Sequence, residues 1–324
     1  MSDKRLSVIV PVYNMEDHVA HLAGEIDKLA GLGAEVIVVD DGSRDGTVAA
    51  LRDHAGGNPA VTLIECAENG GAGAARNLGF PTARGTYTLF FDGDDTLHPD
   101  EIGETLDILD RTGADASLNC YEFIREGGYQ SSGMNVIDRV LWKEWFDKLG
   151  GEAFRLEQAP RFLEFTNYPW NKIVRTAQYQ ALGLDPLFGR TRVNNDILGH
   201  WNLLLHARSL VLVERTIVTH HVSGGRDHLS NRFGRERLEL FAALRSVQEI
   251  LRADPELIGR YGPVYWSLAR RLVTWAQDKV TDGEVAAAFA RETRALVADV
   301  SFDELLGAHR SDTAGVYRWI MNRI

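Results

Sequence analysis

The chain has 324 residues, of which 44% are hydrophobic and 25% are charged, and its net charge is −11. These proportions are those of a folded globular protein and exclude disordered, collagen-like and disulfide-rich classes. The apolar runs are shorter than the roughly 20 residues of a membrane-spanning helix, and no signal-peptide pattern opens the chain. Cys66 and Cys120 alone cannot build a disulfide framework or a cysteine zinc site. We therefore expect a cytoplasmic protein.

The negative charge is concentrated in the first third of the sequence. Residues 1–110 hold 7 Lys and Arg residues against 20 Asp and Glu residues, whereas residues 111–324 hold 28 against 26. A nucleic-acid-binding surface in the first third would need the opposite sign of charge. A phosphate compound bound there would need a cation beside it, and a divalent metal held by clustered carboxylates supplies one.

The first 120 residues alternate between short β-rich runs and helix-like stretches. We predict strands over 6–12, 35–40, 61–65, 86–92 and 116–123, and helices over 15–32, 46–54, 72–82 and 99–112. This alternation predicts an α/β, Rossmann-like fold with a mainly parallel sheet and helices on both faces. Ligands bind beyond the carboxyl ends of the strands in such sheets.

The pattern loosens after residue 123, and all seven Trp residues follow position 141. We predict irregular, aromatic-rich sequence over 124–169, and helices over 176–182 and 195–207. From about residue 232 the apolar positions recur at helical spacing. The predicted organisation is a catalytic domain over 1–231, made of a nucleotide-binding half (1–123) and an acceptor-side half (124–231), followed by a C-terminal helical subdomain over 232–324.

Polar residues follow the first two predicted strands. The first run, SVIVPVYN, ends near Pro11, after which Asn14 and Glu16 open a helix. The second run ends in VVDDGSRDGT, with adjacent carboxylates at Asp40 and Asp41. These residues are typical of turns and helix caps. A carboxylate at the end of a central strand can also accept a hydrogen bond from a nucleotide base, so both interpretations stay open.

The glycine-rich run NGGAGAARNLGF has the Gly-x-Gly spacing of a dinucleotide-binding loop at Gly71 and Gly73. However, Arg76 occupies the third glycine position, and the run follows the third strand instead of the first. We therefore interpret it as a glycine loop that leads into a helix whose Arg76 faces the crevice.

Three aspartates follow the fourth strand in TLFFDGDDTLHPD. Asp92, Asp94 and Asp95 lie within four residues, and like charges so close together repel one another unless a cation neutralises them. A solvated acidic turn is the alternative. Because Mg²⁺ and Mn²⁺ take one or two carboxylates and complete their shells with water and substrate phosphates, we predict a metal site here.

The ordered series SVIVPVYN, VVDDGSRDGT, GGAGAARNLGF, ARGTYTLFFDGDD and PWNK resembles the inverting family 2 glycosyltransferases of the GT-A fold. The resemblance implies that residues at the family's motif positions bind a nucleotide-sugar donor. These residues are Pro11, Tyr13, Asn14 and Glu16 in the first loop, Asp41 or Asp40 at the base, Arg76 beside the ribose or diphosphate, Asp92, Trp170 and His221, with Asp94 and Asp95 at the metal.

The resemblance also implies a catalytic base, which in the family is the Asp of a Glu-Asp pair. The comparable segment here is VNNDILGHW, which assigns the base to Asp196 and departs from the family pattern at Asn195. The alternative for Asp196 is an ordinary helix cap.

Two further segments have open roles. Trp170 of PWNK could stack on a sugar or fill the core. After the strand LVLVERTIV, His220, His221, Ser223 and Arg226 could contact phosphate or metal, and an exposed histidine pair is the alternative.

The sequence thus predicts a metal-dependent inverting glycosyltransferase that transfers from a nucleotide-diphosphate sugar to a glycan or lipid-linked acceptor in bacterial-type polysaccharide assembly, with a UDP-sugar favoured by the resemblance alone. One alternative is an inactive nucleotide- or glycan-binding protein. A nucleotidyltransferase would need a glycine-rich basic loop that PVYNMEDH lacks, and a dinucleotide oxidoreductase is disfavoured by the glycine pattern.

The C-terminal helices mix aromatic and basic residues and could form a peripheral surface for a partner or for the inner membrane face. Packing of the aromatics against the catalytic domain is the alternative. The residues concerned are Tyr265, Trp266, Arg270, Arg271, Trp275, Tyr317, Arg318, Trp319 and Arg323.

Overall fold

A mixed sheet organises the computed structural model, which describes residues 4–125, 129–131, 133–222, 234–311 and 315–324. The strands of this part of the chain are β1 (Leu6–Val12), β2 (Glu35–Asp40), β3 (Val61–Glu65), β4 (Tyr87–Phe90), β5 (Thr96–Leu97), β6 (Ala116–Arg125), β7 (Tyr129–Ser131), β8 (Ala153–Phe154), β9 (Lys172–Arg175) and β10 (Leu210–Val222). The helices are α1 (Val19–Lys28), α2 (Thr47–Ala55), α3 (Ala72–Gly79), α4 (Pro99–Thr112), α5 (Val136–Leu149), α6 (Thr176–Ala181), α7 (Asn195–Leu205), α8 (Glu239–Arg252), α9 (Pro255–Gln277), α10 (Gly283–Ala298), α11 (Phe302–Ser311) and α12 (Val316–Met321).

The first half of the sheet is parallel. β1 lies between β2 and β4, with Val8 opposite Val36 on one side and Leu89 on the other, and β3 pairs with β2 in the same direction. β1 and β2 are almost wholly buried, which explains their continuous apolar sequence. The predicted α/β class is therefore confirmed. The carboxyl ends of β1, β2 and β4 lie at one edge of the sheet.

The second half of the sheet is mixed. β9 runs antiparallel between β4 and β6, and β10 runs parallel to β6 with two shifts of register. The prediction of irregular sequence over 124–169 is wrong in one part, because α5 occupies 14 of those residues. In α5, Leu141 and Trp142 are buried while Val136 and Val140 are exposed, so apolar residues occur on both faces of the helix and the sequence shows no single apolar stripe.

The C-terminal helices pack against residues 160–205. α8 packs on α7, and α9 packs on the turn Pro160–Glu164, where Arg271 donates a hydrogen bond to the Glu164 carbonyl. Tyr265 and Trp266 of α9 are fully buried, so they cannot belong to the predicted peripheral surface. Among the described helices, none is both long and apolar enough to cross a bilayer. The predicted boundary between 231 and 232 falls outside the described residues and stays a prediction.

Asp115 joins the beginnings of β6 and β10. Its buried carboxylate accepts hydrogen bonds from the Arg208 backbone amide (2.9 Å) and from two guanidinium nitrogens of the same residue (2.9 and 2.8 Å). Burial alone would raise the pKa of Asp115, but the hydrogen bonds and charge of Arg208 outweigh burial and lower that pKa. The stability that this pair contributes is therefore present above the unfolded pKa of about 4 and is lost as the pH falls through the folded value.

We predict that Asp115→Asn lowers the free energy of unfolding by about 1–3 kcal/mol at pH 7, because it weakens three charge-assisted hydrogen bonds in a buried position. Urea unfolding measures the loss. The control is Asp107→Asn, which removes a partner of Arg5 on the exposed face and should cost less than about 1 kcal/mol. Equal losses in the two variants would contradict the assignment of Asp115 as the junction.

Candidate active site at the strand ends

The loops after β1 and β2 are fastened to each other by Asn14 and Glu16. The Arg44 amide donates to the Asn14 side-chain oxygen (2.9 Å), and the Gly46 amide donates to a Glu16 carboxylate oxygen (2.9 Å). Both side chains thus bind the neighbouring loop, whereas the sequence analysis predicted that they contact the nucleotide-sugar donor. Tyr13 is 43% exposed in the same loop, and Pro11 lies within β1.

The adjacent carboxylates at the end of β2 have different environments. Asp41 accepts hydrogen bonds from the amides of Gly70 (2.9 Å) and Gly71 (2.7 Å), so it fastens the glycine loop to β2. One Asp40 oxygen accepts from the amides of residues 42 and 43, and the other is buried with no hydrogen-bond partner in the described part of the chain. The unpaired acceptor at this strand end therefore belongs to Asp40.

The glycine spacing that imitates a dinucleotide loop has a packing cause. A Cβ atom on Gly73 would lie 2.0 Å from the carbonyl oxygen of Gly189 and 2.9 Å from the Asn195 side chain. Gly71 has φ of +87°, a conformation that favours glycine. The two glycines thus let α3 approach the segment that precedes α7.

Arg76 of α3 links the end of β4 to the start of α7. Its buried guanidinium donates to Asp92 (2.5 Å) and to the Asn195 side-chain oxygen (3.0 Å). These three residues come from separate parts of the chain. The structure therefore brings Arg76 and Asp92 beside the segment that contains the predicted base, Asp196.

Asp196 is the second residue of α7 and is partly buried. Burial raises the pKa of its carboxyl group, the charges of Arg76 and Lys172 act in the opposite direction, and the charge of Asp92 adds to the rise. The N-terminus of α7 also favours an anion at this position. Asp196 therefore lies in the same electrostatic environment as Arg76 and Asp92.

Asp95 lies in the interior and is held by both histidines of the pair. His220 Nδ1 lies 2.8 Å from one carboxylate oxygen, and the His221 amide donates to the same oxygen (3.0 Å). Burial raises the pKa of Asp95 to about 6. Burial lowers the pKa of His220, but the hydrogen bond to Asp95 and the charges of Asp95, Asp92 and Asp94 together outweigh burial and raise that pKa. The fully buried carboxylate thus fastens the turn after β4 to β10, and metal coordination by Asp95 stays a prediction.

His220 rests on a buried group of aromatic rings. Trp170 stacks on Tyr168 with ring centroids 4.6 Å apart and on His220 with centroids 5.5 Å apart. Since Trp170 is only 1% exposed, the prediction of a sugar contact is wrong, and core packing is its role. His221 is partly buried, with Nε2 lying 2.8 Å from the Thr96 hydroxyl. The predicted Ser223 and Arg226 lie outside the described residues.

The carboxylates after β4 fit a metal ion that is held partly by the protein and partly by the substrate. In the described ranges, no three or more His, Cys, Asp or Glu side chains are grouped so that they could bind an ion. Asp94 is partly exposed directly after β4, and its carboxylate is a ligand type that Mg²⁺ and Mn²⁺ prefer. One protein carboxylate with substrate phosphates is a usual arrangement for Mg²⁺.

Residues that the sequence analysis missed position the segment before Asp196. Glu239 accepts hydrogen bonds from the amides of Arg192 (2.5 Å) and Val193 (3.4 Å), and Arg237 donates to the side chain of Asn194 (3.4 Å). Asn194 itself has a positive φ of 61°. No sequence pattern joins positions more than forty residues apart, so these contacts could not be predicted.

Comparison with known proteins places this site in a family. Residues 7–177 match the sequence profile described as glycosyl transferase family 2. The succinoglycan biosynthesis protein ExoO of Rhizobium meliloti is 33% identical over 126 residues, which cover 38% of this chain and 35% of ExoO. The matches to the first three curated relatives cover between 26% and 35% of the length of those proteins.

Solved structures share the fold. TarS 1-349 of S. aureus in complex with UDP-GlcNAc has a TM-score of 0.69 and 22% identity, with 98% of this chain and 90% of that chain covered. The mannosyltransferase PcManGT of Pyrobaculum calidifontis, in complex with GDP-Man and Mn²⁺, has a TM-score of 0.56 and 17% identity, covering 98% and 84%. At these identities the likeness establishes the GT-A fold.

We predict that Asp95→Ala and Asp94→Ala differ in stability. Asp95→Ala should lower the free energy of unfolding by about 3 kcal/mol, because it leaves His220 without its buried partner. Asp94→Ala, at a partly exposed position, should lower it by about 0.5 kcal/mol or less. Urea unfolding distinguishes the two, and a larger loss for Asp94→Ala would reverse the assignment.

Proposed function

The chain belongs to glycosyl transferase family 2, and on this premise we propose that it is a metal-dependent inverting glycosyltransferase that uses a nucleotide-diphosphate sugar. The observation that carries the proposal is the gathering of Asp92, Arg76 and Asp196 beyond the carboxyl ends of the parallel strands. An inactive binding protein would not need a partly buried carboxylate with a raised pKa beside this crevice.

We propose that the donor nucleotide binds across the ends of β1 and β2. The unpaired Asp40 oxygen can accept a hydrogen bond from a base N–H, and Asp41 positions the glycine loop beside it. Tyr13 has an exposed ring that can contact the nucleotide. A uracil base is supported by the fold likeness to TarS, whose structure contains UDP-GlcNAc.

Asp94 is the residue that we propose would hold Mn²⁺ or Mg²⁺ together with the donor diphosphate. The metal when bound neutralises charge that develops on the leaving diphosphate. Mn²⁺ in the structure of PcManGT supports this choice. Asp95 and its bond to His220 would keep the turn after β4 in place, and Asp92 would lie beside the donor sugar with its charge balanced by Arg76.

In the proposed reaction Asp196 is the general base. Its carboxylate takes the proton of an acceptor hydroxyl, the acceptor oxygen forms a bond to the anomeric carbon, and the bond from that carbon to the diphosphate oxygen breaks. The nucleoside diphosphate leaves with the electron pair of the broken bond. One displacement of this kind inverts the anomeric configuration and needs no covalent enzyme intermediate.

The acceptor is proposed to be a glycan or a lipid-linked glycan in polysaccharide assembly, as the name of ExoO suggests. A cytoplasmic location stays a prediction, and so does a peripheral contact through the C-terminal helices. Burial of Tyr265, Trp266 and Trp319 removes most of the aromatic residues from that surface and leaves Trp275 and Tyr317 exposed.

We predict that UDP raises the melting temperature of the protein in the presence of Mn²⁺ and much less in excess EDTA, because a ligand that binds only the folded state stabilises it. A thermal-shift panel with UDP, GDP and TDP measures both the base preference and the metal dependence. Asp94→Asn should abolish the Mn²⁺-dependent part of the shift. Equal shifts by UDP with and without metal would contradict the metal proposal.

We predict that Asp196→Asn lowers kcat for sugar transfer by about a hundredfold or more, the scale of losing a general base, while donor binding is retained. A coupled assay of nucleoside diphosphate release with acceptor measures transfer, and the thermal-shift response measures binding. The matched control is Asp185→Asn, at an exposed carboxylate paired with Arg190, which should transfer at the native rate. Near-native transfer by Asp196→Asn would contradict the assignment of Asp196 as the general base.

A further inference from the structure

The turn after β4, which carries Asp94, is bonded to α1 through its backbone. His21 Nε2 donates a hydrogen bond to the carbonyl oxygen of Asp95 (2.7 Å). The amide of Leu97 donates to a carboxylate oxygen of Glu25 (2.8 Å). Because His21 and Glu25 are four residues apart on α1, they lie on the same face of that helix. One helix face therefore holds two backbone groups that follow Asp94.

Glu25 is a buried carboxylate that the reaction described above does not use. It is 4% exposed, and its second oxygen accepts a hydrogen bond from the exposed ammonium group of Lys28 (2.6 Å). Leu97 is buried as well, so water cannot replace the Glu25 oxygen at its amide without a change of structure. A buried amide without an acceptor is unfavourable. The Glu25 carboxylate thus determines where this part of the turn lies.

The residue before Asp94 also lies against α1. A Cβ atom on Gly93 would be 3.3 Å from a methyl carbon of Leu22, which is fully buried between the positions of His21 and Glu25. Burial alternates along the turn: residues 93, 95 and 97 are buried, and residues 92, 94 and 96 are partly exposed. The three buried positions are those that contact α1. Asp94 therefore belongs to the side of the turn that solvent and a ligand can reach.

Strand β10 holds the same turn through other groups. His221 Nε2 lies 2.8 Å from the Thr96 hydroxyl, and His98 Nε2 lies 2.7 Å from the Thr219 hydroxyl. The side chain of Asp95 is bonded to β10 as described above. The turn with the proposed metal ligand is thus held between α1 and β10.

We propose that Glu25 and His21 are positioning residues for metal binding, which hold the backbone beside Asp94 so that its carboxylate can bind a divalent cation together with the donor diphosphate. This inference rests on the proposed role of Asp94 as the metal ligand. Where a protein supplies one carboxylate and the substrate and water supply the other ligands, the position of that carboxylate has a large effect on affinity. Glu25 and His21 act through the backbone and do not touch the metal.

The loss of this support should affect the metal more than the nucleotide. Without the Glu25 oxygen, the amide of Leu97 has to find another acceptor, and the turn moves with it. The loops after β1 and β2 have hydrogen bonds of their own, from the Gly46 amide to Glu16 and from the Gly70 amide to Asp41. Nucleotide binding in the absence of metal should therefore change little.

The test is Mn²⁺ binding to Glu25→Met in saturating UDP, followed by the EPR signal of free Mn²⁺ against a blank of Mn²⁺ and UDP, at a temperature where the variants are folded. We expect the Kd for Mn²⁺ to rise about tenfold, the scale of losing a group that orients a metal ligand. Glu25→Gln keeps an oxygen for the Leu97 amide and should bind Mn²⁺ within about twofold of the native protein. Native affinity in Glu25→Met, or equal weakening in both variants, would overturn the positioning role.

The matched control is Glu35→Met. Glu35 is a carboxylate of similar burial (6% exposed) that accepts hydrogen bonds from the Ser7 hydroxyl and the Arg84 amide (both 2.6 Å). It begins β2 and so lies at the opposite edge of the sheet from the site. Glu35→Met should lower the melting temperature as Glu25→Met does and leave Mn²⁺ binding unchanged. If it weakened Mn²⁺ binding equally, lost stability would account for the effect and the proposal would be wrong.

Two further variants complete the test. If Glu25→Met does not fold, His21→Phe at an exposed position removes the bond to the Asp95 carbonyl and is read by the same criterion. Asp94→Asn is measured in parallel. Native Mn²⁺ affinity in Asp94→Asn contradicts the metal proposal and this inference with it, whereas a loss there beside native affinity in Glu25→Met contradicts the role of α1 alone.

Discussion

The candidate site depends on the guanidinium group of Arg76, which joins the turn after β4 to the start of α7. Through it the aspartate at the end of β4 and the first residue of α7 are held to the same rigid helix. The glycine at position 73 is a condition for this contact, because any side chain there would strike the Gly189 carbonyl. One helix, α3, which packs on β1 and β2, therefore holds Asp92 and Asn195 in fixed positions.

Part of the acidic composition of the first third stabilises the loops after the strands. Many carboxylates there are acceptors for backbone amides: Asp40, Asp41 and Glu16 bind the loops that follow the strands. Asp95 binds a histidine in the interior. Negative charge in this region thus stabilises tight loops whose amide groups would otherwise lack partners. Only part of the charge excess is left for a metal ion.

The parallel half of the fold could be predicted from the sequence because local signals agree there. β1 to β3 have the predicted bounds, and α4 begins at Pro99 and ends before Gly113, two residues that favour helix ends. The helix α5 could not be predicted, since its apolar residues lie on both the exposed and the buried face. The roles of Asp95 and Trp170 also required the structure, because burial depends on β10 and on the 166–171 turn, which are distant in sequence.

The segment before Asp196 is held by residues that follow it in the chain, because Glu239 accepts hydrogen bonds from the amides of residues 192 and 193 and Arg237 donates one to Asn194. The segment that carries Asp196 receives its last supports only when positions 237 and 239 have left the ribosome. A chain that ends before residue 237 would therefore contain α7 without these hydrogen bonds.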